Sequence, residues 1–248
     1  MSDPFRLDGR RALVTGANTG IGQAIALGLA RAGAHVVAAG RSPVEETLAL
    51  IAAEGLSGEG FFLALDDPAV AAGELRRAGP LDILVNNAGI IRRADAVDFS
   101  EADWDDVIDV NLQAVFFLSQ ASARAAFARE AGGAIVNIAS LLAFQGGIRI
   151  PSYTAAKHGV AGLTKLLANE WAVKGINVNA IAPGYIATNK TEALRADPVR
   201  NEAILDRIPA GRWGAAEDIA GAAVFLASSA ARYIHGTILP VDGGWLAR

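Results

Sequence analysis

Tyr153 and Lys157 lie four residues apart in a segment whose apolar spacing predicts a helix running through Leu167. Four residues make about one helical turn, so both side chains would share one face of that helix. A phenol with a pKa of about 10 is a poor base at neutral pH, but a neighbouring ammonium stabilises the phenolate. Ser140 ends the preceding apolar run, where its hydroxyl could hold a carbonyl or alcohol oxygen. Together these residues predict proton transfer at a substrate oxygen.

Each of these residues also has an ordinary structural interpretation. A Tyr/Lys pair on a helix is often plain surface, and a serine after a strand often forms a turn. The catalytic prediction therefore depends on a second feature, a glycine-rich turn much earlier in the chain.

That turn has the spacing G-x-x-x-G-x-G and is formed by Gly16, Gly20 and Gly22. It lies between the first apolar run and the first amphipathic stretch. Glycines there allow a tight turn and let backbone N–H groups approach a pyrophosphate at a helix N-terminus. The spacing differs from the commonest fingerprint, G-x-G-x-x-G. The pattern predicts a dinucleotide site, with a purely structural turn as the alternative.

The residues after the next two apolar runs bear on which dinucleotide binds. An acidic residue after the second run would accept from the ribose 2′-hydroxyl and select NAD. The chain has Gly40, Arg41 and Ser42 there. Arg41 could bind a 2′-phosphate, stack on adenine or face solvent, so NAD and NADP both stay open. Asp66 could accept from the adenine amine, cap the helix that begins near Pro68, or do both.

Short apolar runs alternate with amphipathic stretches along the whole chain. The runs cover residues 12–14, 35–39, 61–65, 82–86, 134–138, 177–181 and 238–241. Apolar runs separated by helices predict strands of a parallel sheet that is covered on both sides. We therefore predict an α/β fold with one Rossmann-type, doubly wound parallel sheet of about seven strands and helices on both faces. No linker or repeat divides the chain, so 1–248 is predicted to be one domain, in which the less regular segment 188–214 covers the ligand crevice.

Composition excludes several functional classes. The 248 residues include no cysteine, which excludes disulfides, thiolate metal sites and cysteine nucleophiles. The three histidines are scattered without metal-binding spacing, so no metal site is predicted. A net charge of −4 disfavours nucleic acid as a partner. No apolar run reaches the ~18–20 residues of a membrane span, and no targeting segment is visible, so we expect a cytoplasmic protein with no membrane partner.

In order and spacing, these motifs resemble those of the short-chain dehydrogenase/reductase family. The matching landmarks are the glycine-rich turn, Asn86-Asn87-Ala88-Gly89, Asn111, Ser140, Tyr153-x-x-x-Lys157 and Pro183-Gly184. The resemblance implies an NAD- or NADP-dependent oxidoreductase with a catalytic tetrad. In it, Tyr153 is the acid/base and Ser140 polarises the substrate oxygen. Lys157 binds the nicotinamide ribose and lowers the tyrosine pKa, and Asn111 holds a water.

The resemblance also implies the cofactor contacts, a family preference for NAD and a homotetramer. The implied cofactor-binding residues are Gly16, Asn18, Thr19, Gly20, Ile21, Gly22, Arg41, Asp66, Asn87, Ala88, Gly89, Tyr153, Lys157, Pro183, Gly184, Ile186 and Thr188.

Longer stretches, including 182–189 and 204–214, are similar to sugar-acid dehydrogenases of this family. The similarity implies hydride transfer at a secondary alcohol or ketone of a sugar acid. A sugar acid needs a cation for its carboxylate, and the arginine fork suits that group. The predicted substrate contacts are Ser140, Gln145, Arg149, Tyr153, Arg92 and Tyr185.

Alternatives remain open for these predictions. Arg92 or Arg149 could instead form an ion pair with Asp95 or Asp98. The enzyme could be a gluconate or polyol dehydrogenase, or a 3-oxoacyl thioester reductase. Outside the enzymes, the chain could be a dinucleotide-binding regulator without catalysis.

Overall fold

A single parallel sheet organises the computed structural model, which describes residues 3–248. Its seven strands run in the order β3-β2-β1-β4-β5-β6-β7. They are β1 (Arg11–Thr15), β2 (His35–Gly40), β3 (Gly58–Phe62), β4 (Ile83–Asn86), β5 (Gly133–Ile138), β6 (Ile176–Pro183) and β7 (Ile238–Val241). The predicted doubly wound α/β fold is confirmed.

Helices cover both faces of the sheet. They are α1 (Gly20–Arg31), α2 (Glu45–Ala53), α3 (Pro68–Glu74), α4 (Glu101–Ile108), α5 (Ala114–Ala128), α6 (Pro151–Trp171), α7 (Glu192–Ala196), α8 (Pro198–Leu205) and α9 (Ala216–Ala227). Alternate residues of one strand enter different layers: Ala12 and Val14 pack with α1 and α9, whereas Leu13 packs with α3, α5 and α6. None of the helices within residues 3–248 is long and apolar enough to cross a membrane.

The strand order reverses between β1 and β4. From β1 the chain proceeds outward to β2 and β3, and it then returns to place β4 on the other side of β1. Parallel sheets bind ligands at the carboxyl ends of the strands beside such a reversal. This position holds both the glycine-rich turn, which follows β1, and the Asn87-Ala88-Gly89 turn, which follows β4.

The third strand differs from the prediction. The apolar run 61–65 was expected to pair, but β3 spans Gly58–Phe62 and is a largely exposed edge strand. Leu63 and Leu65 are buried beyond it, in the layer that contains α3. Gly60 lets α2 and the residue before it pack closely on the edge, since a Cβ there would lie 3.2 Å from Val44 Cγ2 and 3.4 Å from Leu48 Cδ1. The residues that pair in β3 are therefore mostly not apolar. The apolar residues Leu63 and Leu65, which follow the strand, pack in the layer of α3 instead.

A buried polar network connects the two central strands to two helices. Asn86 Nδ2, at the end of β4, donates to Ser119 Oγ at 3.0 Å and to Asn137 Oδ1 at 2.8 Å. Asn137 Nδ2, on β5, donates to Thr164 Oγ1 at 3.0 Å. Asn86 and Asn137 are paired in the register of the two strands. The network joins β4 and β5 to α5 and α6 beneath the site.

Candidate active site

A cleft of about 520 Å³ opens at the carboxyl ends of the strands, where the strand order reverses. Most of the residues that the sequence motifs predict for the site line this cleft, although they are far apart along the chain. The predicted residues that line it are Gly16, Asn18, Thr19, Gly20, Ile21, Gly22, Arg41, Asp66, Asn87, Ala88, Gly89, Arg92, Ser140, Tyr153, Lys157, Pro183, Gly184, Ile186 and Thr188. The predicted residues that are not part of its lining are Asn111, Gln145, Arg149 and Tyr185.

The glycine-rich turn leaves no room for side chains where it meets the start of α1. A Cβ on Gly22 would lie 2.2 Å from the carbonyl oxygen of Gly16 and 2.4 Å from Asn87 Nδ2. Gly16 itself has φ = 64°, a conformation that glycine adopts readily. Thr19 precedes α1 without making a side-chain capping bond, so the first N–H groups of the helix are available to an anion. The turn therefore fits the pyrophosphate of a dinucleotide.

The turns after β1 and β4 are bonded to each other. Thr15 Oγ1 accepts from the backbone N–H groups of Asn87 and Ala88, both at 3.0 Å. Asn87 Nδ2 donates to the carbonyl oxygens of Thr15 and Gly16 at 2.9 and 3.2 Å. These four bonds fix the floor of the cleft across the strand reversal.

Tyr153 and Lys157 both line the cleft, as their four-residue spacing predicts, and Ser140 lines it from the end of β5. Burial raises the pKa of Tyr153, and its hydrogen bond with Ser140 acts in the opposite direction. Lys157 Nζ donates to the carbonyl oxygen of Ile138 at 2.7 Å and lies 5.4 Å from the centre of the Tyr153 ring. Burial lowers the pKa of Lys157 to about 7, and the nearby Lys190 charge contributes to this shift. The arrangement can exchange a proton with an oxygen that is bound in the cleft.

The depressed pKa of Lys157 predicts a pH-dependent stability. In the unfolded chain a lysine has a pKa of about 10.4, so between the two values the unfolded state binds more protons than the folded state. The free energy of unfolding should therefore rise with pH above about 7, by up to about 1.4 kcal/mol per pH unit. This contribution is complete above the unfolded pKa and is lost as pH falls through the folded value.

Urea unfolding of the wild type and of Lys157→Met between pH 7 and 9.5 measures this contribution. Because methionine cannot titrate, we expect the stability of the wild type relative to the variant to increase with pH. A constant difference over that range would contradict the depressed pKa.

Asn111 supports the β4 turn from behind. It lies in a π-helical turn, Asp109–Gln113, and is fully buried. Its Oδ1 accepts from the N–H of Ile90, and its Nδ2 donates to the carbonyl oxygen of the same residue, both at 2.8 Å. Its predicted role as the holder of a water stays a prediction.

The residues after β2 and β3 face the adenosine end of the predicted site. Gly40, Arg41 and Ser42 all line the cleft. The helix cap before Pro68 is Asp67, whose Oδ1 accepts from the N–H groups of Ala69 and Val70 at 3.1 and 3.0 Å. The alternative interpretation of Asp66 as that cap is therefore wrong. Asp66 lines the cleft instead.

The two arginines predicted to bind substrate are held in ion pairs. Arg92 lines the cleft, but its guanidinium contacts Asp103 at 3.2 Å and Asp106 at 3.1 Å. Arg149 Nε lies 3.0 Å from Asp95 Oδ1, as the alternative interpretation allowed. These side chains are roughly half-exposed, and such ion pairs contribute little stability and can exchange partners.

Gln145 and Tyr185 belong to an aromatic cluster beside the cleft. Gln145 Oε1 accepts from the indole N–H of Trp245 at 3.3 Å. The Tyr185 ring packs against Trp213 and Trp245, with centroids 5.5 and 4.7 Å apart. Both residues therefore contact the C-terminal tail rather than the cleft.

Three charged residues of the cleft lining, Asp106, Asp109 and Lys190, were missed by the sequence analysis. Lys190 lines the cleft, and its Nζ donates to the carbonyl oxygen of Gly89 at 2.8 Å. The only sequence signal was its position two residues after Thr188, which the family resemblance did implicate. Within residues 3–248, no group of three or more metal-ligating side chains is arranged to hold an ion.

Comparisons with known proteins agree with this geometry. A family model described as Enoyl-(Acyl carrier protein) reductase matches residues 16–246. The 2-dehydro-3-deoxy-D-gluconate 5-dehydrogenase of Escherichia coli strain K12 is 56% identical over 248 residues, which cover 98% of each chain. The protein of the same name from Bacillus subtilis strain 168 is 55% identical over 252 residues, covering 100% of this chain and 99% of the relative.

A solved structure shows the same likeness. An Agrobacterium tumefaciens protein that was designated a candidate 2-deoxy-D-gluconate 3-dehydrogenase, crystallised with bound NADP, superposes with a TM-score of 0.98. It is 68% identical, and the match covers 100% of both chains. With the glycine-rich turn, the Tyr/Lys pair and the serine gathered in one cleft, this chain belongs to the short-chain dehydrogenase/reductase family.

Proposed function

We propose that the protein is an NAD(P)-dependent dehydrogenase that transfers a hydride between nicotinamide and a secondary alcohol or ketone of a sugar acid. The substrate that we favour is 2-dehydro-3-deoxy-D-gluconate, oxidised at C5, or the related 2-deoxy-D-gluconate, oxidised at C3. The observation that carries the proposal is the presence of Tyr153, Ser140 and Lys157 in the same cleft as the glycine-rich turn. The sugar-acid class comes from the relatives named above.

The chain's own residues provide binding and proton transfer. A dinucleotide on the glycine-rich turn supplies the hydride chemistry. The Tyr153 hydroxyl gives a proton to the substrate oxygen in reduction and takes one in oxidation. Because burial raises the pKa of Tyr153, the phenol keeps its proton until a partner stabilises the phenolate. Lys157 acts as that partner in its protonated form, and the Ser140 hydroxyl donates to the same substrate oxygen.

The 188–214 segment is proposed to cover the substrate. It leaves and rejoins the fold at one place, where Ile186 and Gly214 form a parallel bridge. The N–H of Ala187 donates to the carbonyl oxygen of Gly214 at 2.8 Å. The N–H of Gly214 donates to the carbonyl oxygen of Tyr185 at 2.9 Å. Its first four residues, Thr188 to Thr191, line the cleft. Such a segment, anchored at both ends, suits a cover over a bound ligand.

The substrate contacts and the assembly remain part of the proposal. Arg92, Arg149, Gln145 and Tyr185 stay predicted substrate contacts, and the arginines would have to exchange an aspartate for the substrate carboxylate. A homotetramer is proposed from the family resemblance, and a cytoplasmic location is proposed as the sequence analysis expects.

A substrate panel tests the function. Purified protein is assayed for oxidation of 2-dehydro-3-deoxy-D-gluconate, 2-deoxy-D-gluconate and D-gluconate, and for reduction of an acetoacetyl thioester, with each dinucleotide separately. We expect the highest kcat/KM with one of the two deoxy sugar acids. A preference for the thioester, or dinucleotide binding without turnover of any of them, would overturn the proposal.

The same assay, applied to Arg41→Ala, tests the cofactor assignment. If Arg41 binds a 2′-phosphate, the variant should lose about tenfold or more in kcat/KM with NADP, because a charge-assisted hydrogen bond is removed. Activity with NAD should change little. Arg232→Ala, outside the cleft lining, is the control. An unchanged NADP-to-NAD ratio in Arg41→Ala would show that Arg41 does not bind the phosphate.

A further inference from the structure

Lys190 lies on a short, firmly bonded turn of the 188–214 segment. The 3₁₀ turn Asn189–Thr191 follows Thr188, whose N–H donates to Thr191 Oγ1 at 3.0 Å. Thr191 Oγ1 is in turn 2.8 Å from the carbonyl oxygen of Ile186, to which it donates. These bonds fix the backbone from which the Lys190 side chain extends.

The side chain reaches across to the opposite wall of the cleft. Its Nζ donates to the carbonyl oxygen of Gly89, in the turn after β4. Thr188, two residues earlier, packs against the glycine-rich turn, since a Cβ on Gly20 would be 3.4 Å from Thr188 Cγ2. The start of the 188–214 segment therefore contacts both turns that would hold a dinucleotide. Lys190 contacts the turn after β4, and Thr188 contacts the glycine-rich turn.

This ammonium has no anionic partner within the described part of the chain. Within residues 3–248, nine contacts join an arginine to a carboxylate and one joins His35 to Glu59, and none of the ten includes Lys190. By contrast, the arginine at the cleft edge, Arg92, contacts two aspartates. Lys190 is exposed as a whole residue, but the cleft walls around its ammonium partly desolvate that group and lower its pKa. Its charge in turn lowers the pKa of Lys157. The two ammonium groups lie near each other, and each donates only to a backbone carbonyl oxygen. A bound anion would offset their mutual repulsion and the cost of their desolvation.

We propose that Lys190 is an anion-binding residue of the 188–214 segment, which binds a negatively charged oxygen of the ligands when they enter the cleft. Two sources carry that chemistry: a phosphate group of the dinucleotide and the carboxylate of the sugar acid. The inference rests on the proposed function for the second source. A ligand bound to Lys190 would hold the 188–214 segment over the cleft. Ligand binding would therefore favour closure of this segment.

The test compares Lys190→Met, which removes the charge while keeping a long side chain, with Lys190→Arg, which restores a charge. Lys165→Met is the matched control, because Lys165 is an exposed lysine of α6 outside the cleft lining. Dissociation constants for NADPH and NADH are measured by calorimetry without substrate. KM and kcat for 2-dehydro-3-deoxy-D-gluconate are measured at saturating dinucleotide.

The two sources give different results. If the anion is a phosphate, the dissociation constants rise about tenfold in Lys190→Met and recover in Lys190→Arg. If it is the substrate carboxylate, those constants stay unchanged, KM rises about tenfold and kcat changes little. Unchanged dissociation constants together with an unchanged KM would overturn the inference.

Failure of the proposed function would be recognised separately. A wild-type protein that binds the dinucleotide but oxidises no sugar acid contradicts the function, and the calorimetric comparison still decides on Lys190. In that case an unchanged dissociation constant in Lys190→Met overturns the anion-binding role as well.

Discussion

Replacing Tyr153 with phenylalanine is expected to lower kcat by at least about a hundredfold while the dinucleotide dissociation constant changes by less than about twofold. The substitution removes only the hydroxyl, which is the atom that exchanges the proton. The ring that lies 5.4 Å from Lys157 Nζ is kept, so the walls of the cleft should stay in place. Steady-state kinetics with a sugar-acid substrate and calorimetry with the dinucleotide separate the two effects.

The control is Tyr233→Phe, which loses the same atom at a residue that is 96% exposed. It should keep wild-type kcat. Turnover by Tyr153→Phe at the wild-type rate would show that the proton passes through another group, and the proposed mechanism would fail.

Gly22→Ala is expected to weaken dinucleotide binding by about tenfold or more and to lower the free energy of unfolding by about 1–3 kcal/mol. The new methyl group would lie 2.2 Å from the Gly16 carbonyl oxygen, a backbone atom, so the turn itself must move. It would also approach Asn87 Nδ2, which bonds the β1 turn to the β4 turn. Calorimetry with the dinucleotide and urea unfolding of the ligand-free protein measure the two losses.

Gly221→Ala makes the same chemical change on the exposed side of α9, where a Cβ would meet nothing within 4 Å. Since alanine is the better helix former, this control should be more stable by about 0.5–1 kcal/mol and should bind the dinucleotide normally. If Gly22→Ala behaved like Gly221→Ala, the close approach of the turn to α1 would not limit binding.

The fold and the backbone of the site were predictable because their signals are local. The glycine-rich turn and the four-residue spacing of Tyr153 and Lys157 each lie within one short stretch of chain. Strand order then brings those stretches together, because the carboxyl ends of parallel strands meet at one edge of the sheet. The family resemblance extended this prediction to residues such as Pro183 and Thr188, which carry no distinctive chemistry of their own.

The charged residues around the cleft were harder to predict because their partners are distant in sequence. Arg149 was expected near substrate, but it pairs with Asp95, and nothing in the sequence decides between the two partners. Lys190 contacts the carbonyl of Gly89, 101 positions earlier. Because every residue has a backbone carbonyl, the sequence does not show which one accepts this bond. The third strand was misplaced for a related reason, because its apolar neighbours Leu63 and Leu65 are buried by a helix rather than by pairing.

The buried amides of Asn86 and Asn137 also help to fix the register between β4 and β5. Sliding one strand past the other by two residues would keep every side chain on its own face. It would, however, break the bond from Asn86 Nδ2 to Asn137 Oδ1 and leave that oxygen without a partner in the core, at a cost of about 1–3 kcal/mol. Apolar neighbours alone, such as Val85 and Val136, would tolerate such a shift more readily. The polar pair therefore keeps the ends of the two strands level, with Asn87 and Ser140 on opposite sides of one cleft.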